Sequence, residues 1–182
     1  MKINCLNGKR LFNSLDKTGN KKADSLHKIF KEFGIDFSTG VPCGVLRHII
    51  SNLKSDPTVL HLSANRESEA IGLAAGAYFS GKKPLVYMQN SGLFAASNDI
   101  ASLLIPYTIP VFLVVTYRGH KEDDAAQHIV TGRATENLLK SFKLNFSVYE
   151  NQNLKELVNG LFVKMKKNNL PTILLLKRGW NL

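Results

Sequence analysis

The run PVFLVVTY at residues 110–117 limits what this chain can fold into more than any other stretch. It is β-branched, uncharged and apolar at nearly every position, so as a strand it has to be covered on both faces. The longer segment from Ile100 to Tyr117 is also uncharged, but Pro106 and Pro110 interrupt it and put turn chemistry around Tyr107 and Thr108. We read it as a helix end, a turn and a buried strand, not as a membrane span. A doubly covered strand needs partners of its own kind, and IDFST, TVLHLS, LVYMQ, FSVYE and TILLLK supply them.

Between these runs the hydrophobic period changes. Leu26, Ile29, Phe30 and Phe33 recur at helical spacing, with Asp24 placed to cap the start and Gly34 placed to end the run. Val45, Leu46, Ile49, Ile50 and Leu53 form a second stripe. Further helices are expected from about Arg66 to Ser80, Leu93 to Leu104, Gly132 to Phe142 and Asn153 to Lys167. Strict alternation of strand and helix predicts an α/β fold, a doubly wound parallel sheet of about six strands with helices on both faces. The organised domain should run over residues 24–182, with 1–23 as a basic leader or arm.

Lys and Arg number 24 against 14 Asp and Glu, a formal charge of +10. The excess sits in the opening segment and on the last helix, without the interleaved aromatics of a base-stacking surface, so we expect no nucleic acid. No apolar signal core follows Met1, and Cys5 and Cys43 have no ligand-like spacing. A soluble, cytoplasmic protein without a metal site of its own is the expectation.

In a doubly wound sheet, ligands gather at the carboxyl ends of the strands near the point where strand order reverses. The segments that follow strands are GVPCG, ANRES, QNSGLF and RGHKEDDAAQH, and the unusual polar residues fall there. Glu67 opens a helix that is otherwise small and apolar, IGLAAGA, on every face. An acid in a first turn can simply offset the helix dipole, with Asn65 as N-cap. At the mouth of a buried helix it is also partly desolvated, which suits it to hold or share a proton. Glu69 points elsewhere and reads as solvated or salt-bridged. Asn90 and Ser91 could cap a helix or donate hydrogen bonds to a ligand, and Gly92 permits close backbone approach. His128 and Gln127 lie in the loop after the strongest strand, and imidazole titrates near neutrality. Arg118 and Arg133 could neutralise an anionic ligand, guanidinium being well matched to such groups.

Taken together, GVPCGVLRHII, ANRESEAIGLAAGAYFSGKKPLVYMQNSGL and QHIVTGRATENLL resemble the pyrimidine-binding half of thiamine diphosphate enzymes, and phosphonopyruvate and sulfopyruvate decarboxylases above all. The likeness extends over nearly everything from Asp24 onward. It implies the thiamine diphosphate-binding fold and a role for the acid: Glu67, nine residues before Gly76, matches the glutamate that hydrogen-bonds the cofactor's aminopyrimidine and activates it. Asn90, Ser91 and Gly92 are then the cofactor-binding segment. His128 becomes a proton donor beside the substrate, and Cys43, Gln127 and Arg133 substrate contacts. The implied reaction is decarboxylation of 3-phosphonopyruvate or 3-sulfopyruvate to the corresponding acetaldehyde and CO2.

Two departures from the pattern stand out. Cys43 occupies a position where phosphonopyruvate decarboxylases carry aspartate, and Phe94 stands where relatives commonly have glycine, which would narrow the pocket. The GDG-and-asparagine pattern that holds magnesium and diphosphate is not found in this sequence. The resemblance therefore implies a separate diphosphate-binding (beta) subunit that holds the Mg2+, and a hetero-oligomer with two or more copies of each chain. A carboligase subunit and a non-catalytic regulatory subunit of the same fold are the alternatives.

Overall fold

The structure is a computed structural model and describes residues 21–120 and 125–180. Six strands, β1 (Phe37–Gly40), β2 (Leu60–Ser63), β3 (Pro84–Gln89), β4 (Phe112–Tyr117), β5 (Asn145–Tyr149) and β6 (Thr172–Lys177), form one sheet in the order β2-β1-β3-β4-β6-β5. Every pairing is parallel. The α/β, doubly wound expectation is what the chain adopts.

The three central strands show why. β4 is buried at all six positions, and successive residues go to opposite faces. Leu85, Tyr87, Phe112, Val114, Leu174 and Leu176 enter one core, whereas Val86, Met88, Leu113, Val115, Ile173 and Leu175 enter the other. A strand used on both faces has no polar side to offer, which is the physical content of the uninterrupted apolar run.

Helix α1 (residues 21–32), α2 (Arg47–Ser55) and α7 (Leu154–Asn168) cover the first face, packing Leu26, Phe30, Ile49, Leu53, Leu161 and Phe162 onto it. The second face is covered by α3 (Glu67–Phe79), α4 (Asn90–Ala95), the short α5 (Ser97–Asp99) with the π-helical turn Ile100–Leu104 that continues it, and α6 (Ala126–Ser141). The segment before β4 is thus a helix end, a turn and a buried strand, as expected. Among the described residues no helix is long and apolar enough to cross a membrane.

Several boundaries differ from expectation. Residues 21–23 are already helical and Ala23 is fully buried, so the start of α1 belongs to the fold, while 1–20 lie outside the described residues. Asp24 is therefore no cap; its carboxylate accepts from Asn52 Nδ2 at 2.8 Å and ties α1 to α2. The single helix expected over 93–104 starts three residues earlier and is broken at Ala96. Helix α6 begins at Ala126 rather than near Gly132, because the apolar periodicity that marks its buried face is weak in its first turns. At the other end of the prediction, α7 is capped by Asn153, whose side chain accepts from the amides of Lys155 and Glu156.

One buried ionic cluster fixes α1 against the turn before β2. Asp56 accepts from Lys31 Nζ and His27 Nε2, each at 2.8 Å, and from the amide and hydroxyl of Thr58 at 2.9 and 2.6 Å. Lys31 first, then the Thr58 hydrogen bonds, hold this carboxyl well below the usual carboxylate range.

Candidate functional site

The chain runs from β1 outward to β2 and then crosses back to β3, so strand order reverses between β1 and β3. The loops leaving those two strands diverge there and open a crevice. A cleft of ≈ 400 Å³ occupies this place. The turn after β1 forms one wall with Val41, Pro42, Cys43, Gly44 and Val45; Gln89 and Ser91 come from the end of β3, Arg118 from the end of β4, and Glu67 from the head of α3.

Glu67 is the first residue of α3, and its carboxyl group is not spent on the helix start. Arg66 is the N-cap, in extended conformation and with no side-chain cap bond, so the expected Asn65 cap is not formed. Glu69 is used elsewhere: its Oε2 accepts the backbone N–H of Asn65, the residue before the N-cap, at 2.8 Å. The two glutamates divide the work. Glu69 folds back onto the turn that leads into α3, and Glu67, half-buried, turns into the cleft.

Gly92 is what lets it do so. A Cβ at this position would stand 2.3 Å from Glu67 Cγ and Oε1 and 2.4 Å from Cδ. The close approach expected at Gly92 is real, but the group that uses it is the Glu67 side chain, which crosses the Cα of α4's third residue. Helix α3 is not buried on every face, although its composition predicts that it should be. Ala70, Ile71, Ala74, Ala75 and Ala77 face the core, whereas Gly72, Gly76 and Phe79 are exposed, the two glycines lining a groove with Leu60 and Leu62 of the edge strand β2.

Asn90 is fully buried, and its side chain is committed within the protein. Nδ2 donates to Arg118 O at 2.8 Å and to Thr135 Oγ1 at 3.0 Å, while Oδ1 accepts from Arg118 N at 3.3 Å. It does not cap α4, whose N-cap is Gln89, and both N–H donors of its amide are used within the chain. Ser91 is exposed at the cleft and accepts from Gln89 Nε2 at 3.0 Å. Cys43 is a free thiol 3.6 Å from Thr116 Oγ1, and it does line the cleft.

The α6 residues are placed differently from expectation. Gln127 and His128 lie in the first turn of the helix, not in a loop; Gln127 and Arg133 are exposed, His128 is buried, and none of the three lines the cleft. His128 O is packed against Gly119, where a Cβ would lie 1.8 Å away, and Gly119 O lies against Gly132 in the same manner. Gly119 has φ +72°, so the turn after β4 needs glycine on conformational grounds as well. Phe94, expected to narrow the pocket, is also absent from its lining. Gln89 is a lining residue for which the sequence offered no role, whereas Arg118, named with Arg133 as able to neutralise an anionic ligand, does line the cleft. Their place at the last and next-after-last positions of central strands was the available signal.

A polar cluster lies beside the β1–β2–β3 ends on the opposite face. The His61 ring is 2.9 Å from Ser38 Oγ and 3.3 Å from Tyr87 OH, and stacks parallel to Tyr87 with centroids 5.8 Å apart. Burial, then the charge of Lys54, lowers the imidazole pKa. Among the described residues no group of three His, Cys, Asp or Glu is placed to hold a metal ion.

Comparison with known proteins gives these features a family. No protein-family model matches the sequence. The sulfopyruvate decarboxylase subunit alpha of Methanothermobacter thermautotrophicus is 38% identical over 128 residues, which span 69% of this chain and 78% of the relative. The subunit alpha of Methanococcus maripaludis is 34% identical over 124 residues, 68% of this chain and 74% of the relative. The phosphonopyruvate decarboxylase of Streptomyces viridochromogenes is 38% identical over 116 residues, 63% of this chain but 29% of that longer protein. Among solved structures, a Mycobacterium smegmatis protein assigned to the thiamine diphosphate-dependent enzymes superposes over 87% of this chain and 30% of its own, with a TM-score of 0.70 at 14% identity, a likeness of fold. With about three quarters of each of two alpha subunits matched at more than 30% identity, this chain belongs to the sulfopyruvate decarboxylase alpha subunit family.

Proposed function

We propose that this chain is the pyrimidine-binding subunit of a thiamine diphosphate-dependent decarboxylase, acting on 3-sulfopyruvate or its phosphonate counterpart to give the substituted acetaldehyde and CO2. The observation that carries the reading is Glu67: a helix-terminal acid admitted across Gly92 and turned into a cleft at the point of strand reversal. That arrangement suits an aminopyrimidine ring, because a carboxyl group at the mouth of the cleft can share a proton with a ring nitrogen while the apolar wall of Val41, Pro42 and Val45 excludes water. When bound, thiamine diphosphate supplies the nucleophile and the electron sink that let the bond between keto carbon and carboxylate break.

The chain's own share is to bind, orient and dry. Glu67 holds and moves the proton at the pyrimidine. Gln89 and Ser91, bonded to each other at the rim, offer an amide and a hydroxyl to the substrate. Cys43 contributes a small, weakly polar surface where a carboxylate would repel an anion. We place the diphosphate and its Mg2+ on a separate beta subunit, in keeping with the alpha-subunit names of the relatives and with a match to only 29% of the longer phosphonopyruvate decarboxylase chain. The exposed side of α3, with Gly72, Gly76 and Phe79, suits that partner because backbone without side chains allows close helix approach.

The test is Glu67→Gln in the complex reconstituted with its beta subunit, thiamine diphosphate and Mg2+. CO2 release from sulfopyruvate should fall by about 100-fold or more, with the complex still assembled. Unchanged turnover would remove the proposed role of Glu67, and product arising by condensation with a second carbonyl would redirect the reading to a carboligase.

A further inference from the structure

We propose that Arg118 selects the acidic substituent of the substrate and that Asn90 is the residue that sets its position; the proposal rests on the decarboxylase reading above and names the part of the cleft that discriminates among 2-oxo acids.

A substrate with a sulfonate or phosphonate beyond its carboxylate carries two separated negative groups. Its recognition needs a cation held at a fixed place, since a mobile one would bind any 2-oxo acid about equally. Among the described residues that line the cleft, Arg118 is the one with a positive charge. Its planar fork of N–H donors matches tetrahedral oxyanions in paired geometry. Arg133 sits seven residues into α6, exposed and away from the cleft lining.

What makes Arg118 more than a nearby charge is how its backbone is held. The β3–β4 ladder ends at the pair Gln89 and Thr116. Just beyond it, the buried amide of Asn90 takes over as a substitute for the missing backbone partner, accepting from Arg118 N at 3.3 Å and donating to Arg118 O at 2.8 Å. Its remaining donor goes to Thr135 Oγ1, which itself donates to Thr131 O at 2.6 Å, so the clamp is anchored in α6. On the far side, the contact of Gly119 with His128 O and Gly132 fixes the chain as it leaves. Arg118 is therefore gripped immediately before and after its own Cα, and a rigid backbone delivers its side chain to the cleft. This also accounts for a fully buried asparagine at the end of a central strand. Leucine would remove all three bonds, and aspartate would place an acceptor against the carbonyl of Arg118.

The experiment compares sulfopyruvate with pyruvate, the same 2-oxo acid without the sulfonate, in the reconstituted complex. Arg118→Met should lower kcat/KM for sulfopyruvate by about 100-fold, chiefly through KM, and leave the value for pyruvate within about threefold; Arg118→Lys should recover about tenfold of the loss. Asn90→Asp should reduce the sulfopyruvate-to-pyruvate ratio by about tenfold, whereas a merely structural role would lower both substrates together. Calorimetry of sulfopyruvate binding to the Glu67→Gln complex, with and without Arg118→Met, gives the answer free of turnover. Loss of binding with Arg118→Met upholds the assignment even if the wild-type complex proves not to be a decarboxylase. Equal binding by both complexes, or an unchanged substrate ratio in an active enzyme, overturns it.

Discussion

Replacing Gly92 by alanine tests the geometry at the centre of the proposed site. The new methyl would start 2.3 Å from Glu67 Cγ and Oε1, against an ordinary contact of 3.4 Å or more, so the glutamate must retreat by about 1 Å. Glu67 is half-exposed and can swing toward solvent, so the fold need not absorb the clash. Alanine also favours the helical backbone of α4 by up to about 1 kcal/mol over glycine, which offsets part of the strain. Gly92→Ala should therefore leave the unfolding free energy of the isolated chain within about 1 kcal/mol of wild type, as measured by urea titration. Catalysis should not survive equally well. A misplacement of about 1 Å at a proton-sharing group costs about 100-fold, so kcat/KM for CO2 release by the reconstituted complex should fall by that factor. A folded Gly92→Ala chain that supports wild-type turnover would show that the placement of Glu67 over Gly92 has no catalytic meaning.

Asp56→Asn should destabilise the chain by about 2–3 kcal/mol, since charge-assisted bonds to Lys31 and His27 are lost from a buried site, and chemical denaturation would register it. Because the folded-state pKa of Asp56 is depressed, its contribution is present above the normal carboxylate range and is lost as pH falls below about 4; Asp56→Asn should flatten this acid limb of the stability profile. His61 acts in a higher window. Its imidazole pKa is lowered in the folded state, so the unfolded chain binds more protons and stability declines as pH falls through the usual histidine range, an effect that His61→Gln should remove from melts recorded between pH 7 and 5. Gly76→Ala, where a Cβ meets nothing within 4 Å, should stabilise the isolated chain by about 0.5–1 kcal/mol yet weaken assembly with the beta subunit, measured by calorimetric titration; unimpaired assembly would clear the α3 face of a docking role.

How much of this was legible in the sequence follows from which signals are local. The sheet was, because β4 and β6 each put consecutive apolar residues into two cores, and no amphipathic alternative accommodates that pattern. Glu67 was legible as an anomaly, an acid leading an apolar helix. Its neighbours were not. Whether Asn90 meets a ligand or the chain depends on Thr135, 45 residues away, and no periodicity reports that distance. The same holds for Gln127, His128 and Arg133. They follow a strand in sequence, as site residues should, but α6 begins at Ala126 and carries them into a helix away from the cleft lining. Arg118, by contrast, is the first residue past β4 and is therefore at the sheet's carboxyl edge whatever the loop beyond it does.

The strand order explains why so few residues suffice. The cleft exists because β1 and β3 are neighbours whose connections leave in opposite directions, so its walls are built by backbone that the core already fixes. Each side chain proposed to act is then placed by a second group: Glu67 by the bare Cα of Gly92; Arg118 by Asn90 and by the glycine contact that follows it. Both placements converge on α4, whose first and third residues are Asn90 and Gly92. A short helix joined directly to a central strand thus holds the acid on one side and the cation on the other. Changes confined to that turn should alter cofactor activation and substrate selection separately, with Gly92 governing the first and Asn90 the second.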